Sequence, residues 1–289
     1  MTISKVRETL ENIGAISSTN VVQFSPRTRD REIPVFRDTK SGVIFIDDYY
    51  VGDDEYQEGE YRGTEVPNLE DFLDTERRVN SFRPFYLGRR VVDFGCGAGN
   101  FLRAVRSSTR SASGVELQKS LNESLNRDGI PCFREISQVP LSDTAFMFHV
   151  LEHLPDPLAL LTELKICLEP GKGTLVVEVP HANDFLIHSL QCKSFIDFTL
   201  WSQHLVLHTR DSLHKLLSAA GFMDIRITGV QRYGLANHLT WLSEGKPGGH
   251  NGPMALLETE DLSRAYQSAL AGQDSTDTLV AIARNGSHQ

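Results

Sequence analysis

Three alternating glycines, Gly95, Gly97 and Gly99, begin two residues after the acidic residue Asp93 in the stretch VVDFGCGAGNFL. The apolar residues before Asp93 predict a buried strand and the residues after Gly99 predict a helix, so the glycines form the turn between them. Glycine adopts positive φ without steric cost, and its backbone can approach a ligand closely. The stretch therefore predicts a small-molecule binding loop.

The spacing of the glycines distinguishes this loop from dinucleotide-binding loops. Those use G-x-G-x-x-G and place a pyrophosphate on the helix N-terminus, whereas this chain has D-x-G-x-G-x-G. A carboxylate two residues before the first glycine repels a pyrophosphate and suits a ligand that carries an ammonium group. An enzyme that uses a nicotinamide cofactor is therefore a remote alternative, and it would have to bind NAD.

Polar residues also follow the next predicted strands, and ligands of open α/β sheets bind at such carboxyl ends. Glu116 closes the second strand, where its carboxylate can accept hydrogen bonds from a ribose diol, and Leu117 can flank an adenine. The third strand leads into HVLEHLPDP, whose polar residues include His149, Glu152 and His153. A fourth strand, in VEVPHAND, ends at His181.

Four landmarks over residues 91–180 resemble the class I S-adenosylmethionine (SAM)-dependent methyltransferases: the glycine loop, the acid at Glu116, the VLEHL sequence and the turn LEPGKGTL at 168–175. The resemblance implies a Rossmann-like α/β fold, with a seven-stranded sheet covered by helices on both faces, and SAM as cofactor. It also implies the cofactor-binding residues: Asp93, Gly95, Gly97, Gly99, Asn100, Phe101, Glu116, Leu117 and His149.

A second resemblance concerns residues 195–217, which are similar to an element of deoxysugar C-methyltransferases. It implies that His204 occupies the place of the general base and Trp201 that of its aromatic partner. Gln203 stands where that family has a glutamate, and the cysteines of its zinc-binding module are missing. An unperturbed imidazole pKa suits a base near neutral pH. His204 is the first candidate, with His181 and His153 as substitutes.

A metal ion is an alternative for the residues after the third strand. Ubiquinone-pathway O-methyltransferases, which this stretch also resembles, place a divalent cation on glutamate and histidine side chains there. In this chain His149 replaces the leading acid, and mixed imidazole and carboxylate ligands suit a transition metal better than Mg²⁺. The same side chains serve equally well in loop packing and beside the cofactor, so we predict no metal.

Two further stretches carry candidate substrate ligands. The acidic segment 47–60 and Tyr61 beside it form either a solvated loop or a lid over the site. The stretch 231–250 combines donors and aromatic residues that suit an anionic, hydroxyl-rich ligand, and it resembles a segment of bacterial surface-polysaccharide pathway methyltransferases. The alternative is a loop with its own packing. The predicted substrate-binding residues are Tyr61, Trp201, Gln203, Arg232, Asn237 and His238.

Composition bounds the class of protein. The chain has 289 residues, 40% of them hydrophobic, with a net charge of −9, which is ordinary for a soluble globular protein and argues against a nucleic-acid partner. Because no apolar stretch approaches a membrane span and no signal-peptide core is present, we expect a cytoplasmic protein without a membrane partner. The four cysteines contain no C-x-x-C pair, which argues against zinc and disulfide frameworks. A homodimer is possible.

The pattern of elements predicts an N-terminal cap over 1–83 with a helix, a strand pair within 33–46 and an irregular arm over 15–32. A methyltransferase domain follows over 84–289, with substrate-binding insertions near 181–209 and 230–255. We expect methyl transfer to an oxygen or carbon of a small polar metabolite such as a nucleotide-activated sugar or a surface-glycan or natural-product precursor. A catalytically inactive SAM-binding scaffold, and a quinone-like or phosphorylated acceptor, stay open as alternatives.

Overall fold

The computed structural model describes residues 4–47, 49–52 and 69–286. Tyr61 and most of the acidic segment 47–60 lie outside the described residues. The described strands are β1 Val21–Ser25, β2 Val35–Asp38, β3 Ile44–Ile46, β4 Arg90–Phe94, β5 Ser111–Val115, β6 Cys132–Phe133, β7 Thr144–Phe148, β8 Thr174–Pro180, β9 Val206–Leu207, β10 Phe222–Val230 and β11 Thr278–Asn285.

Seven of these strands form the main sheet in the order β10-β11-β8-β7-β4-β5-β6. The pairs among β8, β7, β4, β5 and β6 are parallel, and β11 is antiparallel to both of its neighbours. The chain passes from β4 outward to β6 and then returns to β7 on the other side of β4. This reversal creates the crevice in which α/β sheets bind ligands, and the topology confirms the predicted fold class.

Helices cover both faces of the main sheet. The described helices are α1 Val6–Asn12, α2 Leu69–Ser81, α3 Arg83–Tyr86, α4 Asn100–Val105, α5 Lys119–Arg127, α6 Pro157–Leu164, α7 Lys193–Thr199, α8 Arg210–Ala219, α9 Leu235–Glu244 and α10 Glu260–Gly272. Leucines of α6 and α8 fill one core layer, and aromatic and apolar residues of α2 to α5 fill the other. Within the described ranges, no helix has both the length and the apolar character needed to cross a bilayer.

A second sheet has the order β1-β2-β3-β9. Its middle strands confirm the strand pair predicted within 33–46. The irregular arm predicted over 15–32 is wrong at Val21–Ser25, because this segment pairs antiparallel with β2. The short strand β9 pairs with β3 through Ile44 and Leu207, so the N-terminal segment and the insertion before α8 form one layer.

The C-terminal third is more helical than the sequence indicated. Residues 231–250, which the sequence leaves as either a ligand-binding or a self-packing loop, contain the helix α9. Its end follows from Gly245, whose φ of 67° is the left-handed conformation that terminates helices. Trp241 on this helix is buried and packs edge-on against Phe195 at a ring-centroid distance of 5.3 Å. Packing against α7 therefore stabilises a helix that lacks a strong sequence pattern.

The buried histidine His208 makes stability depend on pH. It is fully buried, and burial lowers its pKa from 6.5 to about 4. Between these two values the unfolded chain binds a proton that the folded chain does not, so the free energy of unfolding falls on acidification, by up to about 3 kcal/mol for this group. We expect His208→Gln to reduce this fall, as measured by urea unfolding at neutral pH and near pH 4.5.

The matched control is His214→Gln, because His214 is exposed on α8. This variant should keep the pH dependence of the unmodified protein. Equal pH dependence in both variants would contradict the assignment to His208, whatever their absolute stabilities.

Candidate functional site

The glycine loop lies between β4 and α4, and its three glycines are required for different reasons. All three have positive φ, at 69° for Gly95, 55° for Gly97 and 73° for Gly99. A Cβ on Gly95 would lie 2.4 Å from Val150 Cγ2, and one on Gly99 would lie 2.3 Å from Leu125 Cδ2. Nothing lies within 4 Å of a Cβ on Gly97. Packing therefore fixes the outer glycines, whereas the middle one borders open space.

Glu116 joins the glycine loop to the end of β5. Gly97 N donates to Glu116 Oε2 at 2.8 Å, and Gln118 N donates to Glu116 Oε1 at 2.8 Å. The side chain is 9% exposed, and burial raises the pKa of its carboxyl. Each oxygen retains a further lone pair, so the carboxylate can still accept hydroxyl donors from a ligand.

Asp93 is a buried acid at the end of β4. It is 3% exposed, and burial raises its pKa to about 8, although the nearby Arg78 acts in the opposite direction. The neighbouring acids Glu116 and Glu178 add to the rise. A cation entering this edge of the sheet would lower that pKa and favour the ionised carboxylate.

The other predicted cofactor residues occupy different surroundings. Asn100 begins α4, and Leu117 is exposed. Phe101 is buried and packs edge-on against Phe146 at a ring-centroid distance of 4.9 Å. Its side chain therefore belongs to the core that supports the loop.

His149 follows β7 in a left-handed conformation, with φ of 56°. Arg232 donates to its Nε2 at 3.0 Å, so the proton of the neutral ring is on Nδ1, which donates to Glu152 Oε1 at 3.0 Å. Burial, and then the charge of Arg232, lower the pKa of His149 well below its ordinary value. The ring is therefore neutral and held at both nitrogens.

Arg232 differs from its predicted role as a substrate ligand. Its guanidinium forms an ion pair with Asp74 of α2. Burial acts to raise the pKa of Asp74, but Arg232 outweighs it and holds that pKa at about 2. Because its charge is compensated within the protein, Arg232 connects the N-terminal helix to the sheet edge instead of offering an open anion site.

Two further arginines of α2 reach the same edge. Arg77 Nη1 donates to Glu178 Oε1 at 2.8 Å, and Arg78 Nε donates to Glu178 Oε2 at 2.9 Å. Glu178 is fully buried; burial acts to raise its pKa, but the arginines, Arg78 first, lower it. The sequence did not reveal this network, because arginines on an amphipathic helix ordinarily indicate a solvated face.

His153 and His204 lie together beyond the end of β7. Their ring centroids are 5.0 Å apart, and His204 lies 5.5 Å from the ring of Trp201, which it meets edge-on. His153 Nδ1 donates to the carbonyl of Gln203 at 2.8 Å. The structure thus brings together one predicted base, one substitute and the predicted aromatic partner.

His181 is hydrogen-bonded to a different segment of the chain from His153. Its Nδ1 donates to the carbonyl of Thr276 at 2.9 Å, and burial lowers its pKa to about 4. Such a ring is a weak acceptor of protons near neutral pH. His181 therefore has less support as a base than the His153–His204 pair.

Three further predicted substrate ligands, Gln203, Asn237 and His238, are buried. Gln203 is 9% exposed, and its Oε1 has no hydrogen-bond partner. His238 lies within α9, and its Nδ1 is 2.7 Å from the hydroxyl of Tyr266. Burial lowers the pKa of His238 to about 4. Asn237 beside it is also buried, so this pair packs α9 rather than forming an open anion site.

The comparisons with known proteins agree with the fold. The sequence profile of the family described as "Methyltransferase domain" matches residues 66–227, more than half of the chain. A ubiquinone biosynthesis O-methyltransferase of Methylococcus capsulatus is 29% identical over 36% of this chain and 51% of that protein. The chain thus spans about half the length of this curated relative.

Solved structures show the same fold at low sequence identity. A SAM-dependent methyltransferase from Archaeoglobus fulgidus has a TM-score of 0.52 at 19% identity, covering 80% of this chain and 97% of that one. Phosphoethanolamine N-methyltransferase 2 of Haemonchus contortus, in complex with SAM, has a TM-score of 0.50 at 15% identity, covering 84% and 63%.

The residues at the sheet edge suit SAM. The open space beside Gly97 admits a ligand where any other side chain would intrude. We predict that Glu116 would accept from the ribose hydroxyls and that Asp93, once ionised, would pair with the methionyl ammonium.

Substitutions of Gly97 and Gly99 should separate binding from folding. Gly97→Ala meets no neighbour and adds only left-handed strain of about 1–3 kcal/mol, but its methyl enters the ligand space. We expect it to stay folded and to bind SAM at least about tenfold more weakly, a loss of about 1.4 kcal/mol, by calorimetry. Gly99→Ala adds a collision with Leu125 and should chiefly lower the urea midpoint. The assignment fails if Gly97→Ala binds SAM normally.

Proposed function

Because the chain belongs to the SAM-dependent methyltransferases of the methyltransferase-domain family, we propose that it transfers a methyl group to an oxygen or carbon atom of a small polar metabolite. Bound SAM supplies a methyl group that is already activated by its sulfonium. The chain's own residues then have two tasks: to hold the acceptor in line with that methyl group and to remove its proton.

The observation that carries the proposal is the position of the His153–His204 pair. Both rings lie beyond the end of β7, which pairs directly with β4, the strand that leads into the glycine loop. Trp201 meets both rings edge-on, at centroid distances of 6.1 Å from His153 and 5.5 Å from His204. Imidazoles beside an aromatic wall, next to the cofactor edge, suit proton removal from a bound acceptor.

The first acceptor class in this proposal is a nucleotide-activated sugar. Its support is the resemblance of residues 195–217 to deoxysugar methyltransferases. The stretch 231–250 adds no anion ligand to this support, because Arg232 is paired with Asp74. A phenolic, quinone-type acceptor is the second candidate, and it is favoured by the ubiquinone biosynthesis O-methyltransferase among the relatives.

The test is transfer of radiolabelled methyl from SAM into separate panels of nucleotide sugars and of hydroxylated quinone precursors. We expect label in one panel and a decrease of roughly 10²- to 10⁴-fold in kcat for His204→Ala, the range of general-base catalysis. His214→Ala, at an exposed position on α8, is the matched control and should keep full activity.

Three outcomes would change the proposal. Transfer that survives His204→Ala would move the base to His153 or His181. Label in neither panel, with SAM bound tightly, would favour an inactive scaffold. Label in the quinone panel alone would replace the sugar acceptor.

Asp93 generates a separate prediction about SAM binding. With a pKa raised to about 8 by burial, its carboxyl is mostly protonated at neutral pH. The positive charge of the ligand lowers that pKa, so binding should release up to about one proton. Calorimetry in two buffers of different ionisation enthalpy measures this release. Asp93→Asn should abolish it, and an unchanged release in that variant would contradict the assignment.

A further inference from the structure

Two of the four cysteines meet at the glycine loop. Cys96 stands between Gly95 and Gly97 in that loop, and Cys132 begins β6, yet their Sγ atoms are only 3.9 Å apart. We propose that this pair is an oxidation site, at which a disulfide between Cys96 and Cys132 displaces the glycine loop and weakens SAM binding. The inference depends on SAM as cofactor and not on the acceptor, so its failure would leave the proposed function in place.

Gly114 on β5 is the residue that allows the two thiols to meet. Strand β5 lies between β4 and β6 in the main sheet, and Gly114 pairs directly with Cys132. A Cβ on Gly114 would lie 2.5 Å from Cys96 Sγ, so the thiol of Cys96 occupies the space that a side chain on β5 would fill. Because paired residues stand on the same face of a sheet, that space lies directly beside the side chain of Cys132.

The two thiols differ in their access to solvent. Cys96 is partly exposed, whereas Cys132 is 6% exposed, so a small oxidant reaches Cys96 first. The hydrogen bond with Cys132, and then burial, raise the pKa of the Cys96 thiol well above its ordinary value, and the nearby acids Asp93 and Glu116 act in the same direction. Since the thiolate is the reactive form, the pair stays reduced in the absence of an oxidant and reacts slowly near neutral pH.

A peroxide is the class of oxidant that this step requires. The Cys96 thiolate attacks one oxygen of hydrogen peroxide, the O–O bond breaks, and the departing hydroxide takes a proton to become water. The Cys132 thiolate then attacks the sulfur of the resulting sulfenic acid. The S–S bond forms as the S–O bond breaks, and a second water leaves. The two thiols thereby lose two electrons and two protons, which reduce the peroxide to water.

Disulfide formation requires movement, because the thiols are too far apart to bond where they lie. The S–S bond is about 2.05 Å long, so the sulfurs must close roughly half of their separation. Cys132 is held through its backbone, since its N donates to Asn126 Oδ1 at 3.1 Å and its carbonyl accepts from Asn126 Nδ2 at 2.9 Å. Glycines flank Cys96 on both sides and adapt more easily. The glycine loop is therefore the part that shifts.

The shift would disturb the residues that we expect to bind SAM. Gly97 N donates to Glu116 Oε2 at 2.8 Å, and Cys96 N donates to the carbonyl of Val115 at 3.2 Å. Movement of Cys96 toward β6 displaces both donors, together with the open space beside Gly97. Because coupling between two equilibria is reciprocal, bound SAM should make the disulfide easier to reduce by the same factor by which the disulfide weakens SAM binding.

The test treats the full chain with hydrogen peroxide, removes the excess with catalase and measures SAM affinity by calorimetry. We expect a Cys96–Cys132 cross-link by peptide mass mapping, SAM binding weakened at least about tenfold, and recovery after dithiothreitol. In dithiothreitol redox buffers, saturating SAM should then raise the reduction potential of the disulfide by at least about 30 mV, the equivalent of a tenfold change.

Three variants assign the effect to the pair. Cys132→Ala should form no disulfide and keep its SAM affinity through the treatment. Cys96→Ser, at the partly exposed position, should do the same and keeps the test valid if Cys132→Ala fails to fold. Cys192→Ser removes the other partly exposed cysteine; it is the matched control and should respond to peroxide as the unmodified protein does.

A treated protein without the cross-link, or a cross-linked protein with unchanged SAM affinity, would overturn the proposal. Weakened SAM binding in treated Cys132→Ala would also overturn it, since oxidation of Cys96 alone would then be sufficient. Methyl transfer to the two acceptor panels is measured separately on reduced protein. Absence of transfer there would contradict the proposed function and leave the oxidation site intact.

Discussion

The cofactor edge depends on buried ion pairs between helix α2 and the main sheet. Arg77 and Arg78 bond to the fully buried Glu178, and Asp74 bonds to Arg232. Removing one partner of such a pair leaves an uncompensated buried charge and typically costs about 3–5 kcal/mol. These pairs hold α2 where Arg78 also lies 4.4 Å over the ring of Phe148. The position of α2 therefore determines the electrostatic environment of Asp93.

The end of β7 is the second constraint. His149 has a positive φ, which directs the chain into the turn that carries Glu152 and His153. That conformation is strained for a non-glycine residue, and it persists because Glu152 and Arg232 hold the ring from both sides. The ion pairs of α2 thus influence the acceptor side of the site through Arg232.

The sequence predicted the elements whose patterns are local. The strands β4, β5, β7 and β8 and the glycine loop follow from apolar runs, glycines and strand-end polar residues, all read within a few residues of one another. Contacts between distant segments were not predictable in the same way. The strand β9 has only two residues, and Val21–Ser25 becomes a strand only because β2 lies beside it.

The charged side chains likewise have local chemistry that the sequence predicts and distant partners that it does not. Arg232 has the chemistry of an anion ligand, but its partner Asp74 lies 158 residues away. Gln203 suggested that the carboxylate beside His204 is missing, whereas Glu152 stands close to that ring in the folded chain. Residue type indicated which chemistry was possible, and tertiary contacts decided where each charge is used.

The mixed origin of the small sheet has a consequence for the order of folding. The segment around His204 is held by β9, which pairs with β3 across more than half the chain. The glycine loop and Glu116, in contrast, come from the local segment that contains β4, α4 and β5. Contacts that close long loops form late, because their entropy cost must be met before they stabilise the chain. We therefore expect a nascent or partly folded chain to form its glycine loop first, and to order the segment around His204 only after β3 and β9 have paired.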